Sequence, residues 1–199
     1  MIKVPLFVVR VSLGILLFAY VACADNLLDV TGALTFGDPT QQGRISRNGV
    51  PSDWSSQKPF PGIINTGVTY HYTEYTVNSG VTPFIEVTLD STANVFVAAF
   101  LGGYDPTNIA ATYIGDPGNS EPFGFPASFQ VVVPKNTDLT LVINNTGSAG
   151  VGVGDPYELI VQGFLDTQFT NTPEPSSLLL LGSGALGIAG LVRRKLRCG

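Results

Sequence analysis

The segment Phe84-Ile-Glu-Val-Thr-Leu89 alternates between apolar and polar side chains, so that every second residue faces the same side. This period of two is typical of a β-strand that buries one face. The segments 138–144 and 157–161 repeat the alternation, whereas 95–101 and 129–133 are apolar on both faces, as in strands at the centre of a sheet. These five segments predict a domain built from β-strands.

Two further segments complete the predicted sheets. Residues 70–77 are rich in aromatic and β-branched side chains, and residues 33–36 are expected to form the first strand. Turn signals built from Gly, Pro, Asn and Asp separate the strands, and no segment between residues 25 and 165 sustains a helical period. The predicted fold class is all-β: an antiparallel β-sandwich of jelly-roll or Greek-key type over residues 25–165, followed by a polar linker at 166–172.

The composition of this chain of 199 residues supports one compact β domain. Gly (23) and Pro (14) are frequent, only 13% of residues are charged, and the hydrophobic fraction of 44% is sufficient for a core. Residues 25–172 contain four basic and fourteen acidic residues, a formal charge of −10. A body with this charge repels phosphate backbones, which excludes nucleic acid as a partner.

Both cysteines, Cys23 and Cys198, lie in the terminal segments, so the body between them contains none. A body without cysteine can fold in an oxidising compartment with no risk of mispairing. It also provides no thiol nucleophile and no thiolate ligand for zinc, which excludes both chemistries.

The first 24 residues have the three parts of a secretory signal peptide. Lys3 provides the basic start, residues 11–21 form a short apolar core, and small residues precede Asp25. Ala22 and Ala24 occupy the −3 and −1 positions, which predicts cleavage by signal peptidase between Ala24 and Asp25. Two alternatives stay open, a retained anchor helix and lipidation of Cys23.

The C-terminal segment combines an apolar stretch with a basic end. Residues 177–192 carry no charge and are predicted to form a transmembrane helix, slightly short for a typical hydrocarbon core at about 1.5 Å per residue. The basic residues that follow should stay in the cytoplasm and so direct the body outward. These residues are Arg193, Arg194, Lys195 and Arg197.

The tripeptide Pro173-Glu174-Pro175 stands just before the apolar stretch. A Pro-Glu-Pro motif, a Leu/Gly/Ala-rich helix and a terminal basic cluster in this order resemble the PEP-CTERM sorting signal, here over residues 173–197. The resemblance implies that a membrane-embedded exosortase recognises Pro173, Glu174 and Pro175 and cuts nearby, with the basic cluster as the retention signal. A plain C-terminal membrane anchor is the alternative.

The body resembles, more weakly, the pre-peptidase C-terminal type of β-sandwich module found in exported bacterial proteins. This resemblance implies the sandwich fold and a non-catalytic role. The features that carry it are short, namely Gly37-Asp38-Pro39, the aromatic strand, Tyr104-Asp-Pro106, Tyr113-Ile-Gly-Asp116, residues 129–134 and Tyr157-Glu-Leu159.

Catalytic residues are not expected in the body. His71 is the only histidine, it lies in a predicted strand, and the chain has no Gly-x-Ser-x-Gly motif. The acids Asp90, Asp105, Asp116 and Asp155 lie mostly in turns, where Asp usually shapes the loop. We expect no enzymatic activity and no cofactor, with a glycosidase that uses paired carboxylates as the remaining enzymatic alternative.

One loop is a weak candidate for binding calcium. Asp116, Asn119 and Glu121 carry the oxygen ligands that Ca²⁺ prefers, although the chain lacks an Asp-x-Asp-x-Asp-Gly loop. The structural alternative is an ordinary polar turn.

Three aromatic residues are a candidate platform for a sugar. Trp54 lies in a polar segment, and Tyr104 and Tyr113 flank a loop that contains Asp105 and Asn108. Exposed aromatic rings bind apolar faces, and nearby polar groups bind hydroxyls. The structural alternative for Trp54 is a place at one end of the sandwich core.

These features predict an exported, exosortase-sorted, non-enzymatic protein of the cell surface or of the exopolysaccharide or biofilm matrix of a Gram-negative-type bacterium. Its predicted partners are signal peptidase and exosortase during processing, the inner membrane transiently, and exopolysaccharide afterwards. The alternatives are an exported carbohydrate-binding module and a small secreted hydrolase.

Overall fold

The computed structural model of the protein describes residues 24–121 and 126–165. Within these ranges the chain forms nine β-strands and one short 3₁₀ turn, Ser148–Gly150. The strands are β1 (Asp25–Ala33), β2 (Thr40–Ile45), β3 (Ile63–Asn78), β4 (Phe84–Ser91), β5 (Val95–Leu101), β6 (Tyr113–Gly115), β7 (Ala127–Val132), β8 (Asp138–Asn145) and β9 (Pro156–Phe164). No helix in this described part of the chain is long and apolar enough to cross a membrane.

The strands form two sheets in which every pairing is antiparallel. The first sheet has the order β1-β9-β4-β7 and the second the order β2-β3-β8-β5-β6. The prediction of an all-β domain with two antiparallel sheets is confirmed. Without β2, four strands in the order 1-9-4-7 accompany four in the order 3-8-5-6, and the chain changes sheet at most connections, as in a jelly roll.

The main core contains the inward side chains of both sheets. Ile85, Val87 and Leu89 of β4 have no exposed surface, as their alternation predicts. Leu139, Leu141 and Ile143 of β8 are equally buried in the same cluster. Each such side chain stabilises the folded state by roughly 1.5–3 kcal/mol relative to exposure.

A second apolar cluster covers the outer face of the second sheet. Phe96 and Phe100 of β5 point into it, which explains why residues 95–101 are apolar on both faces. Phe60 comes from the segment 46–62, and Ile109 and Tyr104 come from the segment 102–112. The second sheet is therefore covered on both sides, whereas no hydrophobic cluster of the described residues covers the outer face of the first sheet.

The expected first strand at residues 33–36 is wrong. The first strand is β1 (Asp25–Ala33), which precedes Leu34, and Leu34 itself is fully buried outside any strand. A register shift between Asn26 and Leu28 interrupts the alternation of β1, so its sequence lacks the pattern of a regular strand. The polar strand β2 and the three-residue strand β6 also lacked a periodic signal.

Candidate functional site

Both ends of the domain lie at one end of the sandwich. Asp25, which begins β1, stands directly opposite Gly163, and the described chain ends two residues later at Leu165. The two ends of the described domain, one beside the predicted cleavage site at Ala24 and the other at Leu165, therefore lie close together. Phe36 lies beyond the other end of β1 and marks the opposite end of the sandwich.

Most predicted processing residues fall outside the described part of the chain. These are Ala22, Pro173, Glu174, Pro175, Arg193, Arg194, Lys195 and Arg197, together with the predicted transmembrane helix at 177–192 and the linker at 166–172. The predicted boundaries of the signal peptide and of the sorting segment stay predictions.

A row of apolar side chains crosses the outer face of the first sheet at the end where the chain leaves the domain. Phe84 of β4 pairs with Phe164 of β9 on one side and with Val132 of β7 on the other. Directly opposed residues point to the same face, so these three side chains form one row. Val132 is 50% exposed, and both phenylalanines are half-buried.

Trp54 packs against this row, and we call the four residues together the aromatic row. The Trp54 ring meets the rings of Phe84 and Phe164 edge-on, with centroids 5.8 and 5.5 Å apart. Its indole N–H donates to the carbonyl oxygen of Ile85 at 3.1 Å. Trp54 is therefore half-buried at the edge of the open face rather than at the centre of the main core.

A polar row lies beside the aromatic row on the same face. Gln162, Glu86 and Gln130 stand opposite one another on β9, β4 and β7, and Asn26 of β1 extends the row. The Gln130 side-chain amide donates to the Glu86 carboxylate at 2.8 Å. We call these four residues the amide row. It offers both donors and acceptors to a ligand on the surface.

A cleft of about 220 Å³ continues the amide row past the edge of β7. It is lined by Asp53 to Gln57, Ile114 and Gln130 to Val132. Small-molecule pockets usually measure roughly 300–1,000 Å³, so this cleft alone is small for a drug-sized ligand. Together with the two rows it forms part of an extended surface.

The structure separates the three residues predicted as a sugar platform. Trp54 is on the open face, but Tyr104 and Tyr113 pack in the second cluster, on the far sheet. Burial raises the pKa of Tyr104, and burial together with a hydrogen bond to the Asp116 carboxylate raises the pKa of Tyr113. The partners of Trp54, Phe84 and Phe164, were missed, because their exposure depends on strand pairing between distant segments.

The candidate calcium ligands Asp116, Asn119 and Glu121 differ in their exposure. Asp116 is fully buried and accepts hydrogen bonds from Lys58 (2.6 Å), the Tyr113 hydroxyl and the Gly118 amide (2.6 Å). Asn119 is exposed and Glu121 is buried. Within the described ranges no group of three or more His, Cys, Asp or Glu side chains is placed to hold a metal ion. Asp116 thus stabilises its own loop, which is the structural alternative.

Three of the acids considered for catalysis lie in different elements: Asp90 is in β4, Asp105 is in the segment between β5 and β6, and Asp116 follows β6. Asp105 accepts from the Thr107 amide at 2.8 Å and so shapes its own turn. Asp90 does stand opposite Glu158 of β9, beside a shallow cavity of about 270 Å³. Both of these carboxylates are exposed, whereas the general acid of a glycosidase is typically buried in apolar surroundings.

His71 lies at the end of the sandwich that also contains Phe36. Its Nδ1 lies 3.3 Å from the Asp38 carbonyl oxygen, and its ring meets the Phe36 ring edge-on at 5.5 Å. Both contacts join His71 to the residues 36–38 that follow β1.

The described domain thus has two sheets, an open outer face on the first sheet, and both of its ends at the same end of the sandwich. Residues 171–195 match the model of the PEP-CTERM protein-sorting motif. The chain therefore carries a PEP-CTERM sorting motif, as its C-terminal pattern predicted. This motif indicates an exported, membrane-anchored precursor that is processed by an exosortase.

Three solved structures resemble the domain distantly. PliG, a periplasmic inhibitor of g-type lysozyme from Aeromonas hydrophila, shows 16% identity and a TM-score of 0.39, covering 72% of this chain and 89% of that one. The K2 cleaved adhesin domain of Lys-gingipain shows 12% identity and a TM-score of 0.28, with 68% and 99% covered. The VP2 subviral particle of infectious bursal disease virus shows 14% identity and a TM-score of 0.25, with 73% and 31% covered.

Likenesses at these identities and TM-scores carry no argument about function. No curated protein matches the chain. The weaker resemblance to pre-peptidase C-terminal modules stays a prediction.

Proposed function

We propose that this protein is exported through a cleaved signal peptide, held in the inner membrane by its C-terminal segment, and then sorted by an exosortase to the cell surface or the extracellular matrix. The match of residues 171–195 to the sorting motif carries the proposal. In the mature protein the β domain acts without catalysis, as a surface or exopolysaccharide-associated component of a biofilm.

The placement of the chain ends supports this order of events. Asp25 and Leu165 lie at the same end of the sandwich, so a signal peptide and a C-terminal anchor can reach one membrane without crossing the domain. In the sequence, the prolines at 173 and 175 disfavour helix, and we expect this preference to make the motif a suitable substrate for a membrane-embedded protease.

The charge of the body supports a role outside the cell after processing. Loss of the tail removes Arg193, Arg194, Lys195 and Arg197, and residues 25–172 keep a formal charge of −10. A net charge of this size keeps a protein soluble and reduces association with anionic membranes. The processed domain would therefore leave the membrane surface.

The sorting claim is tested with Glu174→Ala in a host that contains an exosortase. We expect the unaltered protein to lose its tail, and Glu174→Ala to accumulate as a full-length protein in the membrane fraction. Glu158→Ala, which changes an exposed glutamate of the folded domain, is the matched control and should be processed normally. Equal processing of all three proteins, or the same processing in a host without exosortase, would contradict the proposal.

A further inference from the structure

We propose that the outer face of the first sheet binds an uncharged polysaccharide, with sugar rings packed on the aromatic row and hydroxyl groups bonded to the amide row. This rests on the proposed function, because an exported protein meets such polymers outside the cell.

The two rows are arranged to contact a polymer on both its apolar and polar sides. Phe84 and Glu86 are two residues apart on β4, so the rows lie about 7 Å apart along the strand. Each row crosses β9, β4 and β7, which are spaced about 4.8 Å from one another. A sugar ring has apolar C–H faces and a rim of hydroxyls, and neighbouring aromatic and amide groups match this combination.

The charge on this face disfavours an anionic ligand. Its outward acidic residues are Glu86, Asp29, Asp90 and Glu158. Among the described outward residues of the four strands there is no Lys or Arg. Uronic acids, phosphates, sulfates and anionic lipids would therefore be repelled, whereas neutral hydroxyls can use the Gln130 and Gln162 amides and the Glu86 carboxylate as partners.

Trp54 is held in place before any ligand arrives. Its indole N–H is bonded to the Ile85 carbonyl, and the turn that carries it is closed by a bridge between Asp53 and Ser56. Asp53 also accepts from the Ser55 amide at 2.8 Å. A platform that is already ordered loses little conformational entropy on binding, which favours a site over a loosely packed patch.

The test is affinity electrophoresis of a fragment containing residues 25–172. This fragment is suitable because the main core lies entirely between the two sheets of the described domain. The gels contain the neutral polymers hydroxyethylcellulose, galactomannan, xyloglucan or dextran, or the anionic polymers alginate or pectate. We expect retardation by at least one neutral polymer and by neither anionic one.

Substitutions on the outer face of the first sheet test whether this face binds the polymer. Trp54→Ala and Gln162→Ala should each weaken retardation by about tenfold or more, as expected for side chains that contact the ligand directly. Phe36→Ala is the matched control, because Phe36 is an exposed aromatic residue (73%) at the opposite end of the sandwich, and it should bind normally. If Trp54→Ala fails to fold, Gln162→Ala and Gln130→Ala decide the question, since both side chains lie outside the core.

The inference would be overturned by no retardation by any neutral polymer, by retardation by alginate or pectate alone, or by retardation that none of the face variants weakens. Size-exclusion chromatography with light scattering is run in parallel. A dimer that Trp54→Ala dissociates would show that a second copy of the chain occupies the face, and it would also overturn the inference. Because the fragment lacks the tail, these results do not depend on sorting, and normal tail processing without glycan binding would remove only this inference.

Discussion

Lys58 Nζ lies 2.6 Å from Asp116 Oδ1, and the two side chains are 6% and 0% exposed. Lys58 comes from the segment 46–62 and also donates to the Val50 carbonyl at 2.5 Å, whereas Asp116 directly follows β6. The pair therefore holds the segment 46–62, which covers the outer face of the second sheet and is called the covering segment below, against the edge of that sheet. The same segment carries Trp54, so this ion pair helps to position the aromatic row.

Lys58→Ala should destabilise the domain by about 3–5 kcal/mol, because it leaves the Asp116 carboxylate buried without its counter-charge. Chemical denaturation of the fragment 25–172 measures this. Lys135→Ala, at an exposed lysine, is the control and should change the free energy of unfolding by less than about 0.5 kcal/mol.

The double variant Lys58→Ala/Asp116→Ala separates pairing from general disruption. We expect its loss of stability to be clearly smaller than the sum of the losses in the two single variants, because each single variant leaves the other charge buried without its partner. Additive losses of less than about 1 kcal/mol each would show that the pair is not coupled.

Gly115→Ala should also loosen the covering segment. A Cβ at residue 115 would lie 2.5 Å from Ser52 Oγ and 2.6 Å from Val131 Cγ1. Ser52 bonds to both Asp116 and Gln130, so its displacement opens the edge between the sheets. We expect a loss of about 1–3 kcal/mol. Gly103→Ala is the control with open space around its Cα, and an equal effect of both substitutions would contradict the explanation.

Alkaline pH should unfold the domain through its buried tyrosines. Burial raises the pKa of Tyr104, Tyr113 and Tyr157 above the ordinary phenol value, with hydrogen bonds adding to the shift at Tyr113 and Tyr157. In the unfolded chain these hydroxyls lose their protons near pH 10. Above that pH the unfolded state binds fewer protons than the folded state, so stability falls as pH rises toward the folded pKa values.

Ultraviolet tyrosinate absorbance and circular dichroism, followed together against pH, check this prediction. We expect a group of tyrosines to ionise only as the β-sheet signal disappears. Tyr113→Phe should reduce the pH dependence of stability in this range. Complete ionisation of all tyrosines near pH 10 in a domain that keeps its full β-sheet signal would contradict it.

Mature chains should begin at Asp25. Cleavage after Ala24 leaves all nine residues of β1 intact, and the first of them already pairs with Gly163. N-terminal peptide mass spectrometry of the exported protein measures the start. A start at a lipid-modified Cys23, or a chain that keeps residue 1, would support one of the alternatives named for the N-terminus.

The sequence predicted the sheets best where burial imposes a period. Residues 84–89 and 138–144 alternate because one face of each strand lies in the main core. Residues 95–101 are apolar throughout because the second cluster covers their other face. By contrast, β1, β2 and β6 could not be predicted, because a register shift, a polar sequence and a length of three residues remove the period.

The site residues show the limit of reasoning from neighbours in sequence. Three candidate site residues carry polar groups and lie near turns in the sequence, namely Tyr104, Tyr113 and Asp116. In the structure all three lie in or beside the buried second cluster. Phe84 and Phe164 are 80 positions apart and meet only because β4 pairs with β9. The sorting motif, in contrast, is a local linear pattern, and for this reason the sequence was sufficient to find it.

The intact mass of the mature protein, isolated from the surface or medium of an exosortase-containing host, tests the central claim most directly. We predict a chain that ends near Pro173–Pro175 and lacks the apolar stretch 177–192 and the basic cluster that follows. A mature protein whose mass still includes residues 177–199 would contradict exosortase sorting. It would instead support the alternative that this segment is a plain C-terminal membrane anchor.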